Sequence, residues 1–167
     1  MSALETERTT LRPYEEGDRT EFIALLSDEQ VMRYVDRGVL SREAAAALWT
    51  RLMTEMYPKG VDTIWAVFAR DDRRYLGNAS LRPRPEKLSD WEISYYLKTG
   101  EWGKGLATEI ARELVRYGFE ELGLEAVYGT VKFANAVSIR VLEKAGMSFY
   151  REEMGEDGPY AVYRISR

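Results

Sequence analysis

The sequence predicts a mixed α/β fold, in which a β-sheet carries helices on its faces. The first indication is the order of the hydrophobic patterns, because helix-like and strand-like segments alternate through the second half of the chain. The second is the composition, with 45% hydrophobic and 31% charged residues, which is ordinary for a folded globular protein. At 167 residues, the chain is long enough to bury a core, and a single domain spanning 1–167 is expected.

The first third of the chain is predicted to be mainly helical after an opening strand. Asp18 and Ser41 are residue types that cap helix N-termini through a side-chain oxygen, and apolar residues follow each of them at helical spacing. A further short helix is expected between the two capped ones. The predicted elements are a strand over 9–13 and helices over 19–27, 28–35 and 42–57.

Strands dominate the rest of the chain, and two longer helices separate them. Runs rich in β-branched and aromatic residues, or alternating between apolar and polar residues, indicate strands. Apolar residues that recur every three or four positions indicate helices, which Gly123 and Gly146 follow as C-terminal caps. The strands are predicted over 63–70, 75–82, 91–98, 126–131, 149–153 and 160–165, and the helices over 103–121 and 135–145. Alternation also predicts four core aromatic residues: Trp65, Trp91, Tyr95 and Phe149.

The composition excludes several kinds of chemistry. The chain has no cysteine and no histidine, which removes disulfides, thiol nucleophiles, thiolate metal sites and a Ser-His-Asp triad. We therefore expect no metal, and proton transfer must use Glu, Asp, Tyr, Lys, Ser or water. The net charge of −4 does not indicate a binder of nucleic acid or of a membrane surface. Without a membrane-spanning run or the apolar core of a signal peptide, a cytoplasmic protein is expected.

One segment, where the helix over 103–121 should start, carries the clearest chemical signal. It reads Trp102-Gly103-Lys104-Gly105-Leu106-Ala107-Thr108. A helix N-terminus presents unpaired backbone N–H groups and the positive end of the helix dipole, and glycine lets an anion approach the backbone. The segment lacks the Walker A and dinucleotide-binding patterns, which disfavours a nucleotide-binding protein. We predict that it binds the diphosphate of a cofactor, although a plain strand-to-helix turn would also tolerate these glycines.

Several motifs in the correct order resemble the GNAT superfamily of acetyl-CoA-dependent N-acetyltransferases. The resemblance is strongest to the RimJ/RimL-type branch, the ribosomal-protein N-terminal acetyltransferases, and covers nearly the whole chain. The run 92–97, the glycine segment and the run 135–147 match motifs of that branch. The superfamily's pyrophosphate motif has its last two positions on Gly105 and Ala107. Its first position falls on Trp102, a departure that the branch shares.

The resemblance implies a GNAT fold and a site for acetyl-CoA. The fold is a mixed, mostly antiparallel central sheet of about seven strands, with a splayed central strand pair and flanking helices. The coenzyme's pantetheine arm is expected in the splay and its pyrophosphate on backbone amides, with Thr108 adding a hydroxyl and Lys104 a charge. The implied cofactor-binding residues are Tyr96, Leu97, Trp102, Gly103, Lys104, Gly105, Leu106, Ala107, Thr108, Asn135 and Ser138.

Acetyl transfer needs a group that activates the amine and a group that protonates the departing thiolate. Glu92 is the candidate base, directly or through water, although it could instead orient the ammonium or form a structural ion pair. Many superfamily members carry a tyrosine acid where this chain has Leu142, whereas the RimJ/RimL-type branch uses serine. The resemblance therefore assigns the thiol side to Ser138, which could also only stabilise its own helix turn. Acceptor-contacting candidates are Tyr34, Trp49 and Glu92.

The expected function is N-acetyltransferase activity with acetyl-CoA as co-substrate, the acetyl group moving directly to a primary amine in a ternary complex. The amine would belong to a peptide or protein N-terminus or to a small molecule, and a monomer or homodimer is expected. A non-catalytic acyl-CoA-binding or sensing module is the alternative. Such a module could dispense with Glu92 and Ser138, so the presence of both favours the enzyme.

Overall fold

The computed structural model describes residues 3–35, 37–60 and 63–167 and contains eight strands and four α-helices in this part of the chain. The strands are β1 (Leu4–Glu5), β2 (Thr9–Arg12), β3 (Ile64–Ala69), β4 (Tyr75–Arg84), β5 (Lys87–Leu97), β6 (Ala126–Lys132), β7 (Ser148–Gly155) and β8 (Gly158–Ser166). The helices are α1 (Arg19–Leu26), α2 (Arg42–Arg51), α3 (Leu106–Glu120) and α4 (Ala136–Lys144).

The strands form one mixed sheet in the order β1-β2-β3-β4-β5-β6-β8-β7. The neighbours β1 and β2, β2 and β3, β6 and β8, and β7 and β8 are antiparallel, whereas β5 and β6 are parallel. The predicted fold class, a mostly antiparallel sheet with flanking helices, is confirmed. The sheet has one strand more than expected because the two-residue β1 pairs with β2 at Leu4 and Leu11.

The chain divides into two compact units, and the first comprises the described part of Met1–Ala79 together with Tyr96–Lys104. An aromatic cluster lies in its core, where the ring centroid of Tyr14 is 5.1 Å from that of Phe22 and 5.7 Å from that of Trp49. The Tyr14 hydroxyl is paired with that of Tyr75 at 2.8 Å. The buried hydroxyl therefore has a hydrogen-bond partner, which avoids the cost of an unsatisfied polar group.

One helix prediction and one cap prediction in this unit need correction. Residues 28–35 form turns rather than a helix. The Asp28 carboxylate accepts hydrogen bonds from the backbone N–H groups of Gln30 and Val31, as an N-cap would, but the next backbone hydrogen bond spans only three residues, from Val35 to Met32. Asp18 precedes α1 but makes no side-chain cap. Its carboxylate instead binds Arg12 at 2.7 Å.

The third helix prediction is confirmed in its start and modified at its end. The Ser41 hydroxyl accepts a hydrogen bond from the backbone N–H of Ala44, as an N-cap should. Helix α2 ends at Arg51, and helical turns of other types continue over Leu52–Met56 and Tyr57–Lys59.

The second unit comprises Ser80–Tyr95 and Gly105–Arg167. Two glycines let its helices approach β6 closely. A Cβ atom added to Gly118 of α3 would lie 2.9 Å from the Val127 side chain, and one added to Gly129 would lie 2.8 Å from Leu142 of α4. Since Val127 and Gly129 are two residues apart on one strand, both helices pack on the same face of β6. Among the described residues, no helix combines the length and apolar character that a bilayer span requires.

Candidate active site

The parallel strands β5 and β6 part within the second unit. Their pairing joins Trp91 with Val127 and Glu92 with Tyr128, and among the described residues it goes no further. Both strands continue, β5 to Leu97 and β6 to Lys132. The parting of the two strands is the splayed arrangement that the resemblance implied. Backbone groups beyond the last pair are thus available to another partner.

Glu92 lies at the last pair of residues before the strands part. Its side chain is 28% exposed and faces Arg84, with 3.6 Å between the Arg84 Nε and Glu92 Oε2 atoms. The Thr130 hydroxyl donates a hydrogen bond of 3.3 Å to the same oxygen. Burial raises the pKa of Glu92 above its usual value, and this effect outweighs the opposing influences of Arg84, the Thr130 hydrogen bond and Arg82. A carboxylate with a raised pKa is better matched to proton transfer near neutral pH.

Arg84 is held in place from the opposite side by a second carboxylate. Only 3% of its side chain is exposed, and its Nη2 atom lies 2.6 Å from Glu153 Oε2. The hydrogen bond from Arg84 is the largest cause that lowers the pKa of Glu153, to about 2. Glu153 also accepts hydrogen bonds from Tyr160 and Arg151. The cation beside Glu92 is therefore fixed by a network of its own rather than free to move.

Ser138 lies in the first turn of α4 and meets a side chain from β5. Its Oγ atom is 2.8 Å from the Tyr95 hydroxyl oxygen. The Ser138 backbone N–H donates to the Asn135 side chain at 3.2 Å, which confirms Asn135 as the N-cap of α4. Burial raises the pKa of Tyr95 to about 12, with the hydrogen bond to Ser138 acting in the opposite direction. The pair is thus neutral and protonated at ordinary pH.

The glycine segment adopts a conformation that only glycine takes without strain. Gly103 and Gly105 have φ angles of 73° and 78°, in the left-handed region. Helix α3 accordingly begins at Leu106 rather than at Gly103 as predicted, with Gly105 as its N-cap. A Cβ atom added at either glycine would meet nothing within 4 Å. The space beside both α-carbons is therefore open, which fits an anion that approaches the backbone at the N-terminus of the helix.

Two side chains of this segment are engaged in contacts that the sequence did not predict. The Trp102 indole N–H donates to the backbone carbonyl of Leu97 at 2.9 Å, so this carbonyl already has a partner. The Lys104 ammonium forms an ion pair of 3.0 Å with Glu101, which also binds Arg74. Lys104 is therefore not a freely available charge for a phosphate, although its ion pair is exposed and hence weak.

The candidate acceptor residues differ in their surroundings. Trp49 is only 2% exposed and belongs to the core cluster, so the structure places it among packed side chains rather than on a surface open to an acceptor, contrary to expectation. Tyr34 is partly exposed, and the Arg33 guanidinium lies 5.3 Å from its ring centroid. Tyr96 is partly buried against the same core cluster. Tyr34 and Tyr96 remain predictions as site residues.

The core predictions for aromatic residues are confirmed unevenly. Trp65 is fully buried, and Trp91 and Tyr95 are partly buried. Phe149 is 55% exposed, so its prediction was wrong. The pairing of β7 with β8 shifts register between Phe149 and Arg151, and such a bulge interrupts the alternation on which the prediction was based.

Three residues of the site were missed as functional candidates. Tyr95 was assigned to the core, and neither Arg84 nor Thr130 was singled out, although each contacts a predicted catalytic residue. The alternation of β5 could have identified Tyr95 as facing the helices. Nothing local in the sequence connects Arg84 with Glu153. In the part of the chain that the structure describes, no group of three or more acidic residues is arranged to hold a metal ion.

Comparison with known proteins places the chain in a family. The model of the acetyltransferase (GNAT) domain matches residues 8–148 of the chain. The uncharacterized N-acetyltransferase YoaA of Bacillus subtilis (strain 168) is 29% identical over 168 residues, which cover 97% of this chain and 95% of YoaA.

Solved structures share the fold. A GNAT-family acetyltransferase from Bacillus anthracis has a TM-score of 0.84 at 23% identity, covering 99% of this chain and 98% of that one. Spermidine N-acetyltransferase from Vibrio cholerae, solved with CoA and spermine, has a TM-score of 0.78 at 18% identity, covering 95% of each chain. The chain thus belongs to the GNAT acetyltransferase family and is an acetyltransferase with acetyl-CoA as its co-substrate.

Proposed function

We propose that the protein transfers the acetyl group of acetyl-CoA directly to a primary amine, in a ternary complex of enzyme, coenzyme and acceptor. The observation that carries this proposal is the parting of β5 from β6, with catalytic candidates at both sides of the opening. Glu92 and Thr130 lie on one face of the strands. Tyr95 and Ser138 are on the other, where the helices pack. Two reactants that meet in the opening would gain a large rate advantage from orientation alone, up to about 7–11 kcal/mol.

The coenzyme would be held mainly by backbone groups. The backbone N–H groups of the glycine segment, at the start of α3, suit its pyrophosphate, with the hydroxyl of Thr108 as a further donor. Backbone groups of β5 near Tyr96 and Leu97, beyond its last pair with β6, would bind the pantetheine arm, together with Asn135. The Leu97 carbonyl already accepts a hydrogen bond from Trp102. Backbone N–H groups there are the candidates for polarising the thioester carbonyl, because only a donor can do so.

Glu92 would serve as the base, directly or through a water molecule. An amine is nucleophilic only without its extra proton, so the carboxylate accepts that proton as the nitrogen attacks the thioester carbon. A carbon–nitrogen bond forms and the carbon–sulfur bond breaks. Thr130 and Arg84 hold the Glu92 carboxylate in one orientation. In the alternative that Glu92 only orients the ammonium, the proton would leave to water.

Ser138 would supply the proton that the departing thiolate needs. A thiolate is a weak base compared with a serine alkoxide, so transfer from Ser138 is favourable only if the hydroxyl is polarised or regains a proton at once. Tyr95 is placed to polarise the Ser138 hydroxyl, because its own hydroxyl is protonated and in direct contact with Ser138 Oγ. The proton that Ser138 gives to the thiolate would be replaced from water, to which Glu92 would release the proton of the amine. We assign Tyr95 as the positioning residue for Ser138.

Two classes of primary amine are candidates for the acceptor. The resemblance to the RimJ/RimL-type branch favours a peptide or protein N-terminus. The structural neighbour from Vibrio cholerae carries spermine, which supports a small amine instead. Fold likeness alone does not decide between the two, because related folds act on different substrates.

A thiol-release assay tests the proposal. The wild-type protein is incubated with acetyl-CoA and a panel of peptides, amino acids, polyamines and aminoglycosides, and free coenzyme A is measured together with the acetylated product. Acetyl-CoA binding by calorimetry and an amine-dependent release of thiol are the expected results. Binding without release from any amine would support the sensing module instead, and tight binding of ATP would contradict both readings.

The glycine segment offers a separate check on the coenzyme site. Gly105→Val forces a β-branched residue into a left-handed conformation. Its side chain would occupy the space beside the backbone that a phosphate needs in order to approach. We expect the KM for acetyl-CoA to rise by about tenfold or more, since one lost charge-assisted hydrogen bond is worth about 1.5–3 kcal/mol. Lys104→Ala, one residue away, is the matched control. It should change the KM for acetyl-CoA only slightly, because Lys104 is already paired with Glu101.

A further inference from the structure

Arg164 lies in a row of side chains that begins at the proposed base. Glu92 of β5 is in register with Tyr128 of β6, and Tyr128 is in register with Arg164 of β8. Residues aligned across neighbouring strands point to the same face of a sheet. Helices α3 and α4 pack on the other face of β6, at Val127 and Gly129. Arg164 is thus on the face that carries Glu92, opposite these helices.

The Arg164 guanidinium is held by aromatic rings rather than by an acid. Its central carbon lies 5.9 Å from the ring centroid of Tyr128 and 5.3 Å from that of Tyr150. The Nε atom is buried and has no hydrogen-bond partner among the described residues. The side chain is otherwise partly exposed, so the η nitrogens are the donors that a ligand would meet.

Two other guanidinium groups of this face are paired with acids. Arg84 and Arg151 both bind Glu153, and Arg84 also faces Glu92. In the described part of the chain, no acidic side chain pairs with Arg164 in the same way. A partly desolvated guanidinium without an anion is costly, and the two rings beside Arg164 do not supply one. Such a group is suited to receive a carboxylate in a bidentate arrangement.

We propose that Arg164 binds a carboxylate of the acceptor, so that the substrate carries both a primary amine and a carboxylate, as an amino acid or a short peptide does. The proposal rests on the proposed function, since it places the amine at Glu92. The two strand spacings between Glu92 and Arg164 separate their backbones by about 9–10 Å. Because both side chains are long, the Glu92 carboxylate and the Arg164 guanidinium can lie closer together than their backbones do. A polyamine or an aminoglycoside would instead set a cation beside Arg164, which is unfavourable.

Matched pairs of amines test this inference. Each pair consists of a carboxylate-bearing acceptor and its counterpart without the carboxylate: lysine and 1,5-diaminopentane, phenylalanine and phenethylamine, a dipeptide and its C-terminal amide. For wild type we expect kcat/KM to favour the carboxylate-bearing member of at least one pair by about 10- to 100-fold, the range of a hydrogen bond to a charged group. Arg164→Met should abolish this preference by raising the KM of the carboxylate-bearing member.

Arg167→Met is the matched control, since Arg167 is exposed just beyond β8 and its loss changes the net charge equally. This variant should keep the preference. If thermal unfolding shows that Arg164→Met does not fold, Arg164→Lys provides the same test. Lysine keeps the positive charge but lacks the two parallel N–H donors with which arginine binds a carboxylate. This variant should reduce the preference to an intermediate value.

The outcomes separate this inference from the proposed function. Equal rates within every pair, or a preference that survives in the Arg164 variants, would overturn the carboxylate site while leaving the acetyltransferase intact. Thiol release from no amine at all would overturn the proposed function and this inference together.

Discussion

The two faces of the opened strand pair are built from different chemistry. On the face opposite α3 and α4, Glu92 is surrounded by charge, with Arg84 at 3.6 Å and Glu153 beyond it. On the helix-covered face, Ser138 and Tyr95 form a neutral pair of hydroxyl groups. The carboxylate can accept a proton, whereas the hydroxyl pair is protonated at every ordinary pH and so has protons to donate. This contrast is what acetyl transfer requires, because one reactant loses a proton and the other gains one.

The contrast has a direct consequence for pH dependence. The pKa of Glu92 is raised because burial disfavours the carboxylate more than Arg84, the Thr130 hydrogen bond and Arg82 favour it; Glu86 acts in the same direction as burial. A base works only in its deprotonated form, so activity should rise with pH through a pKa above that of an ordinary glutamate. Tyr95, with a pKa of about 12, stays protonated throughout and adds no alkaline limb in the ordinary pH range.

The largest expected effect comes from removing the base. Glu92→Gln keeps the shape of the side chain but accepts no proton, and kcat should fall by about 100- to 1000-fold. The measurement is kcat against pH with a good amine acceptor, where the variant should also lose the acidic limb. Glu86→Gln removes an exposed carboxylate nearby and serves as the control. A Glu92→Gln enzyme with full kcat and an unchanged pH profile would show that Glu92 is not the base.

The helix-covered face should contribute next. Ser138→Ala removes the hydroxyl that we propose for the departing sulfur, with an expected loss of about 10- to 100-fold in kcat and little change in the KM for acetyl-CoA. Ser138→Thr retains a hydroxyl and should be closer to wild type. If Ser138→Ala altered only the stability of α4, as a turn-stabilising serine would, thermal unfolding would shift and kcat would not.

A smaller effect is expected from the partner of Ser138. Tyr95→Phe removes one hydroxyl and leaves the ring in place, so kcat should fall by about three- to tenfold, the value of one hydrogen bond. In the Ser138→Ala background the same change should have little further effect, because the two hydroxyls act as a unit. Additive losses in this double-mutant cycle would mean that Tyr95 acts independently of Ser138.

The smallest effect on the maximal rate should come from Arg84. Arg84→Gln removes a cation that lowers the pKa of Glu92, so this pKa rises further and the acidic limb moves to higher pH by about one unit. At alkaline pH the rate should approach that of wild type. Arg84→Lys retains a positive charge and should shift the limb less. An unmoved limb in folded Arg84→Gln, or one moved to lower pH, would contradict the tuning of Glu92 by Arg84.

Local patterns in the sequence predicted most of the fold. The order of strands and helices follows from periodicity, because burial on one face imposes spacing on each element. Where prediction failed, a local competitor was responsible. After Asp28, a backbone hydrogen bond over three residues, from Val35 to Met32, replaces the helical pattern, and the left-handed Gly103 and Gly105 delay the start of α3.

The site could be predicted only as far as motifs extend. Spacing and resemblance indicated Glu92 and Ser138 as candidates, and the structure adds the groups that contact them. Arg84 and Glu153 lie far apart in the sequence, so only the folded sheet brings their side chains together. Alternation predicted that Tyr95 would be buried, but it could not identify the group that its hydroxyl meets.

The central claim, that the thioester lies where β5 parts from β6, is tested most directly by a crystal structure of the protein with coenzyme A. The account predicts density for the pyrophosphate on the amides that follow Gly103, and for the thiol within hydrogen-bonding reach of Ser138 Oγ. Coenzyme density elsewhere on the protein, with the opening between the strands empty, would contradict it.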